Sequence, residues 1–213
     1  MTAAFNLAQL ANNLNTSGQL DATDGLTGLV ANANLASSGT ANSTTFLRGD
    51  RTWAALAQKV LQVQSVENAT YITSTNNIPR DNTIPQITEG VQVLQINITP
   101  QSSSSYLFFI CEYHIQEASN QGDGGVAALF QTGVSNAYAV WYQGLTSGGA
   151  GENMPTASGI AMIPNSSTSA QSWTVRFGTD TGTMLTLGGT TYYQAGFYAN
   201  LVKNRLTCFE VLI

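Results

Sequence analysis

From about residue 57 to residue 213 the chain is a succession of short runs in which apolar and polar residues alternate. Gly-, Ser- or Asn-rich turns part most of these runs. A period of two is what a half-buried strand requires, because successive side chains point to opposite faces. "EGVQVLQINITP" sets Val91, Val93, Gln95 and Asn97 against Gln92, Leu94, Ile96 and Ile98. "SYLFFICEYHIQE" sets Leu107, Phe109, Cys111, Tyr113 and Ile115 against Phe108, Ile110, Glu112, His114 and Gln116. Helical periodicity is absent here. About ten strand candidates in succession predict a mainly β fold, a β-sandwich or jelly roll over residues 57–213. Composition agrees. Only 9% of residues are charged, against the usual roughly 25%, while 43% are apolar and 9% aromatic.

The first 56 residues have a different texture. Phe5, Leu7, Leu10 and Leu14, with Ala8 and Ala11 between them, are spaced for a short helix, and Gly18 can end it. Beyond it the apolar residues thin out to Leu26, Leu29, Val30 and Leu35, too few to bury a core. The expectation is an extended N-terminal arm, residues 1–56, ordered by wrapping around identical copies; a flexible linker is the plainer alternative.

At the arm's end stands "STTFLRGDRTWAAL", which contains the cell-adhesion tripeptide Arg48-Gly49-Asp50. A turn is the simpler reading. Gly49 gives backbone freedom, Asp50 can accept bonds from nearby backbone N–H groups, and Phe46, Leu47 and Trp53 are apolar enough to plug the base of a knob.

Charge narrows the partners. The net charge is −5 with no Lys/Arg cluster, so nucleic acid is not an expected partner. No apolar run approaches the roughly 20 residues that span a bilayer, so no membrane is expected either. The opening residues lack the basic start and continuous apolar stretch of a secretory leader, so the Asn-x-Ser/Thr sites at Asn42, Asn68, Asn97 and Asn165 read as chance. Cys111 and Cys208 lie in apolar runs and are expected to be buried free thiols.

The signs of chemistry are weak. The single histidine, His114, sits near Glu112 on a strand-like run, but no Gly-x-Ser-x-Gly elbow accompanies it. Glu89, Glu112, Glu117, Asp123, Glu152, Asp180 and Glu210 are scattered without the pairing glycoside cleavage needs. Two cysteines and one histidine make a poor metal set. No enzyme activity and no cofactor are expected. Glu112 and His114 suit a subunit interface, where protonation would alter charge. Trp141, Tyr142, Trp173, Tyr192, Tyr193, Phe197 and Tyr198 suit either a sugar-binding surface or sheet core and interface. Loops 118–125, 144–157 and 165–171 are polar and read as exposed.

Several stretches resemble the fibre and virion-surface proteins of tailed bacteriophages. "SSGTANSTTFLRGDRTW" resembles a junction of the form Ser-Thr-Phe-Leu-Arg-Gly-Asp-Gly-Thr-Trp that joins a fibre shaft to its head, with Arg51 standing where that pattern has glycine. "FNLAQLANNLNTSGQLDATDGL" resembles the start of short phage fibre proteins. "NTIPQITEGVQVLQINITPQSSSSYLFF" resembles their head domain, matching at Ile84, Pro85, Gln86, Thr88, Glu89, Gly90, Ile98, Thr99, Pro100, Ser102, Ser105 and Leu107. "ALFQTG" and the terminal "CFEVLI" fall in the order that pattern expects.

The resemblance implies a homotrimeric knob, similar to a tumour-necrosis-factor or C1q-like jelly roll, on a docking arm. It implies virion assembly and surface binding, with the protein made in the host bacterial cytoplasm. The leading expectation is a capsid decoration or cement protein, because the arm is short. A short tail fibre with a receptor-binding knob is the alternative, and a glycan-degrading tail spike the outsider. Expected partners are other copies of the chain, the major capsid or tail proteins, and a host cell-surface glycan or protein.

Overall fold

The computed structural model describes residues 3–4, 38–56, 58–117, 124–144, 155–181, 184–188 and 201–213. The chain divides into two compact units, Met1–Ala57 and Gln58–Ile213. The fold is mainly β. The expected helix over the first residues lies almost wholly outside the described residues, as do Phe5, Leu7, Leu10, Leu14, Leu26, Leu29 and Leu35.

In the first unit, β1 (Thr45–Leu47) and β2 (Trp53–Ala55) form an antiparallel hairpin, with Leu47 opposite Trp53. Arg48-Gly49-Asp50-Arg51 is its turn. Arg48 N–H donates to Thr52 O and Arg51 N–H to Arg48 O, each at 2.9 Å. Arg51 has φ of 63°, a left-handed conformation that glycine adopts without steric cost. The position is thus one that glycine would suit, although arginine occupies it. Asp50 Oδ1 accepts the Thr52 N–H at 3.0 Å, and that bond is the largest cause lowering the Asp50 pKa. Phe46 and Leu47 are exposed on this hairpin.

The second unit is a two-sheet sandwich. One sheet runs β5 (Val91–Ile98), β10 (Gln171–Thr179), β7 (Gly124–Gln131), β8 (Ala139–Gly144). The other is built on β3 (Val60–Asn68), β12 (Asn204–Val211) and β6 (Tyr106–Glu117), with β9 (Thr156–Pro164) pairing β6 as well. Short strands β11 (Leu185–Leu187) and β4 (Ile72–Ser74) extend it from the far end of β6. All these pairs are antiparallel, and the strand order is that of a jelly roll, which alternates its strands between two sheets.

The alternation read from the sequence sorts the strands as expected. Leu107, Phe109, Cys111, Tyr113 and Ile115 of β6 all face the core, as do Leu94, Ile96 and Ile98 of β5. Aromatic pairs join the layers: Phe109 with Trp173 at 4.9 Å and Tyr113 with Phe177 at 5.3 Å between ring centroids. Each fully buried large side chain contributes on the order of 1.5–3 kcal/mol. Trp173 is thereby core. The segment after β4 covers the outer face of the other sheet. Its Ile78 and Ile87 pack on Val126, Ala128 and Phe130 of β7, so this strand is buried on both faces. Gly178 permits the approach, because a Cβ there would lie 2.8 Å from Ile78 N.

Cys111 and Cys208 are buried free thiols. Burial pushes the Cys208 pKa up to about 12, and that of Cys111 higher, which leaves both thiols unreactive.

Candidate functional site

The most distinctive surface in the second unit is the outer face of the β3-β12-β6-β9 sheet. Register aligns its side chains into rows. Val63, Phe209, Phe108 and Met162 form one row across four strands. Ser65, Thr207, Ile110 and Ile160 form the next. Nothing in the described unit covers them: Ile160 is 62% exposed, Met162 51% and Val63 48%. Phe108 and Phe209, half-buried, lean together at 6.2 Å between ring centroids. An antiparallel sheet with one face in water usually turns polar residues outward, and these rows depart from that pattern.

A charged row borders it. Glu67, Arg205, Glu112 and Ser158 align next along the strands. Arg205 Nε donates to Glu67 Oε1 at 2.9 Å, Lys203 pairs the other Glu67 oxygen, and Arg205 Nη1 lies 3.7 Å from Glu112 Oε2. Lys203 first, then Arg205, lowers the Glu67 pKa. Beyond this row is His114, whose Nδ1 lies 3.0 Å from Thr156 Oγ1 and whose backbone N–H donates to Asn204 Oδ1 at 2.9 Å. Burial lowers the His114 pKa against the opposing pull of Glu112, which favours the neutral ring near pH 7. Glu112 and His114 thus sit at one end of the same face as the apolar rows. Among the described residues no serine is bonded to the ring, and no group of three or more His, Cys, Asp or Glu side chains is placed to hold a metal ion.

The other expected contact residues separate. Trp141 joins the edges of the two sheets: its Nε1 donates to Ile160 O at 3.2 Å, and its ring lies over Gly159, where a Cβ would sit 2.1 Å from it. Tyr142 is across the sandwich from the apolar rows. It accepts from Arg80 Nη1 at 3.0 Å, beside Asp180, which is almost wholly buried and takes the Gly124 N–H at 2.9 Å. Tyr192 and Tyr193 lie outside the described residues.

Sequence reasoning left Glu210 among the scattered acids. The structure makes it the hub of one end of the sandwich. Its buried carboxylate accepts from Gln62 Nε2 (2.6 Å), Gln101 N (2.9 Å), Ser102 N (2.9 Å) and Ser105 Oγ (2.8 Å). Desolvation raises its pKa, and these bonds together outweigh it, so the net shift is downward. The strand period offered the signal: Glu210 shares the parity of Leu206 and Cys208, both core residues. Ser102 and Ser105 therefore act in a turn that caps a residue of "CFEVLI". Gln86 and Glu89 likewise close a turn on each other, Gln86 N–H to Glu89 Oε2 at 3.1 Å and Glu89 N–H to Gln86 O at 2.9 Å, and the carbonyls of Glu89 and Gly90 hold Arg176. Asn165, read as part of an exposed loop, is buried instead, because its amide bonds Ser102 O and Ser105 Oγ behind that cap.

The described residues of the second unit define a sandwich-like β protein with one unpartnered apolar sheet face. No family model matches the chain, and no curated protein sequence does. Among solved structures, dimeric latent PorU from Porphyromonas gingivalis is 11% identical over 74% of this chain and 14% of its own, with a TM-score of 0.36. Eiger TNF from S. frugiperda is 11% identical over 73% of this chain and 94% of its own, at 0.39. Infectious bursal disease virus, Gx strain, is 14% identical over 76% of this chain and 39% of its own, at 0.35. The chain thus spans far less than two thirds of the PorU and bursal virus chains. Similarity at this level carries no functional weight, and the reading below rests on the chain's own residues.

Proposed function

We propose that the chain is a non-enzymatic structural protein of a bacteriophage virion surface, a homotrimeric capsid decoration or cement protein. Its arm, residues 1–56, docks on the particle through major capsid or tail proteins, and its sandwich, residues 57–213, faces outward. One observation supports self-association above the rest: the registered apolar rows of Val63, Phe209, Phe108 and Met162, with Ile110 and Ile160 beside them. They put exposed apolar side chains side by side on one sheet face, where a contiguous apolar patch is a mark of an interaction site. A second copy suits this face because acids and bases both border the rows, Glu67 and Glu112 with Lys203 and Arg205, so a neighbouring copy brings both signs of charge to the contact. Packing around a threefold axis closes the set.

The virion assignment is supported by the ordered resemblance of the junction, head-domain and C-terminal stretches. The same head-domain residues favour a short tail fibre as the second reading, with the sandwich contacting a host cell-surface glycan or protein. Copy number separates the two. A decoration protein is present on the order of hundreds of copies per symmetric shell, a fibre in roughly a few tens or fewer. Particles lacking a decoration protein lose heat or osmotic resistance, whereas particles lacking a fibre keep their capsids and fail to adsorb. A purified full-length chain that sediments as a stable monomer overturns the trimer.

A further inference from the structure

We infer that the end of the sandwich where β8 begins and β9 ends carries a binding site for a neutral sugar ring. An open cleft of about 120 Å³ lies there, lined in part by Gln131, Tyr138, Asn165, Ser166, Gln171 and Trp173. It is smaller than the roughly 300–1,000 Å³ of pockets for drug-sized ligands, so it suits one ring. Among the described residues no acidic or basic side chain lines it. An anionic ligand finds no cation there, and a lipid finds too many amides and hydroxyls.

The wall is held in advance of any ligand. Gln171 uses both ends of its amide: Oε1 accepts from Trp173 Nε1 at 3.0 Å, and Nε2 donates to Asn165 Oδ1 at 2.9 Å. Asn165 is in turn fixed to Ser102 O at 2.6 Å. Ordered groups of this kind lower the entropic cost of binding. Tyr138 stands at the mouth, 42% exposed, edge-to-face with Trp173 at 5.0 Å. Its hydroxyl donates to Gln131 Oε1 at 3.1 Å, which leaves its own oxygen able to accept. Gln131 Nε2 has no hydrogen-bond partner among the described residues and is a donor for a ligand hydroxyl. An exposed aromatic ring beside neutral donors and acceptors matches a sugar, which offers C–H groups on its faces and hydroxyls at its edge.

The site goes beyond the virion reading, since binding by the purified chain does not depend on copy number or particle location. The test uses the purified full-length chain, with the methyl pyranosides of glucose, galactose, mannose and N-acetylglucosamine as neutral probes and sialic acid as the anionic one, read by saturation-transfer NMR. Saturable binding of at least one neutral probe with Kd of about 1–10 mM is expected, weakened about tenfold or more by Tyr138→Ala and by Gln131→Ala. Gln131→Ala removes a half-buried amide and one exposed hydrogen bond from Tyr138 and leaves the sheet backbone pairing intact, so its denaturation midpoint should stay close to that of the parent chain. The site is overturned if no neutral probe saturates up to roughly 100 mM, if sialic acid binds best, or if both variants bind as the parent does.

Discussion

Ser105 and Glu210, 105 residues apart, are joined by a hydrogen bond of 2.8 Å in which the serine hydroxyl donates to the carboxylate. Ser105 follows β5 and Glu210 lies near the end of β12, so the bond ties the turn between β5 and β6 to the C-terminal strand. Among the described residues no cation pairs with Glu210; dipoles from two backbone N–H groups, an amide and a hydroxyl hold the charge.

Glu210→Gln should therefore destabilise the second unit by about 2–3 kcal/mol, because an NH₂ group then faces donors that need an acceptor. The pH dependence has a definite sign. The folded pKa lies below the ordinary glutamate value, so this contribution is complete above the unfolded pKa and is lost as pH falls through the folded one. Denaturant midpoints of the parent and Glu210→Gln chains should be well separated at neutral pH and converge in acid. Equal midpoints at pH 7 would show that the carboxylate is dispensable.

Val63 and Ile160 lie on opposite flanks of the apolar rows and are largely exposed in the single chain. Lysine at either position should alter the stability of an isolated chain by no more than about 0.5 kcal/mol. In an assembly that covers this face it leaves a charge desolvated, and association should weaken by about tenfold or more. Under the proposed trimer, analytical ultracentrifugation of Val63→Lys and Ile160→Lys should show dissociation at concentrations where the parent chain stays associated. Unchanged assembly in both variants would place the subunit contact elsewhere.

His114 supplies a second pH response. Its folded pKa is depressed, first by burial, so the folded chain binds fewer protons than the unfolded one. Stability should decline as pH drops below the ordinary histidine value of 6.5 and level off below the folded value. His114→Gln should flatten the profile between about pH 8 and about pH 5, read by thermal unfolding and by sedimentation of the assembly. A parent profile that is already flat over this range rules the response out.

Arg51 holds a left-handed backbone that costs a non-glycine residue about 1–2 kcal/mol. Arg51→Gly relieves this and gives back part of the gain through the greater freedom of the unfolded chain, for a net stabilisation of about 0.5–1 kcal/mol. Amide exchange at Arg48, which is bonded to Thr52 O across the turn, should slow severalfold in the full-length variant. Faster exchange would show that the arginine side chain stabilises the turn instead.

Periodicity made the sandwich legible. In β6 the apolar parity from Leu107 to Ile115 is continuous, and every member of it is core. The turn at Arg48-Gly49-Asp50 was legible for a similar reason, since its bonds run between near neighbours. Other sites were less so. The opposite parity of β6 mixes Phe108 and Ile110 with Glu112 and His114, and one strand does not tell whether such a face is half-buried or meets a partner. Tyr142 and Trp141 are adjacent in sequence, yet one joins Arg80 and Asp180 while the other covers Gly159.

What the amino-acid order determined by itself is local: which residues are strand, which side of each strand is apolar, and where the chain turns. Steric and solvation preferences between near neighbours are enough for that. Only the tertiary structure decided which faces meet. Register between strands far apart in sequence aligned Val63, Phe209, Phe108 and Met162 into a row, closed four donors around Glu210, and brought Tyr138 against Trp173 at the cleft. Those contacts come from strand pairing over long separations, where the energy lies in the assembled sheet and no short stretch of sequence carries it.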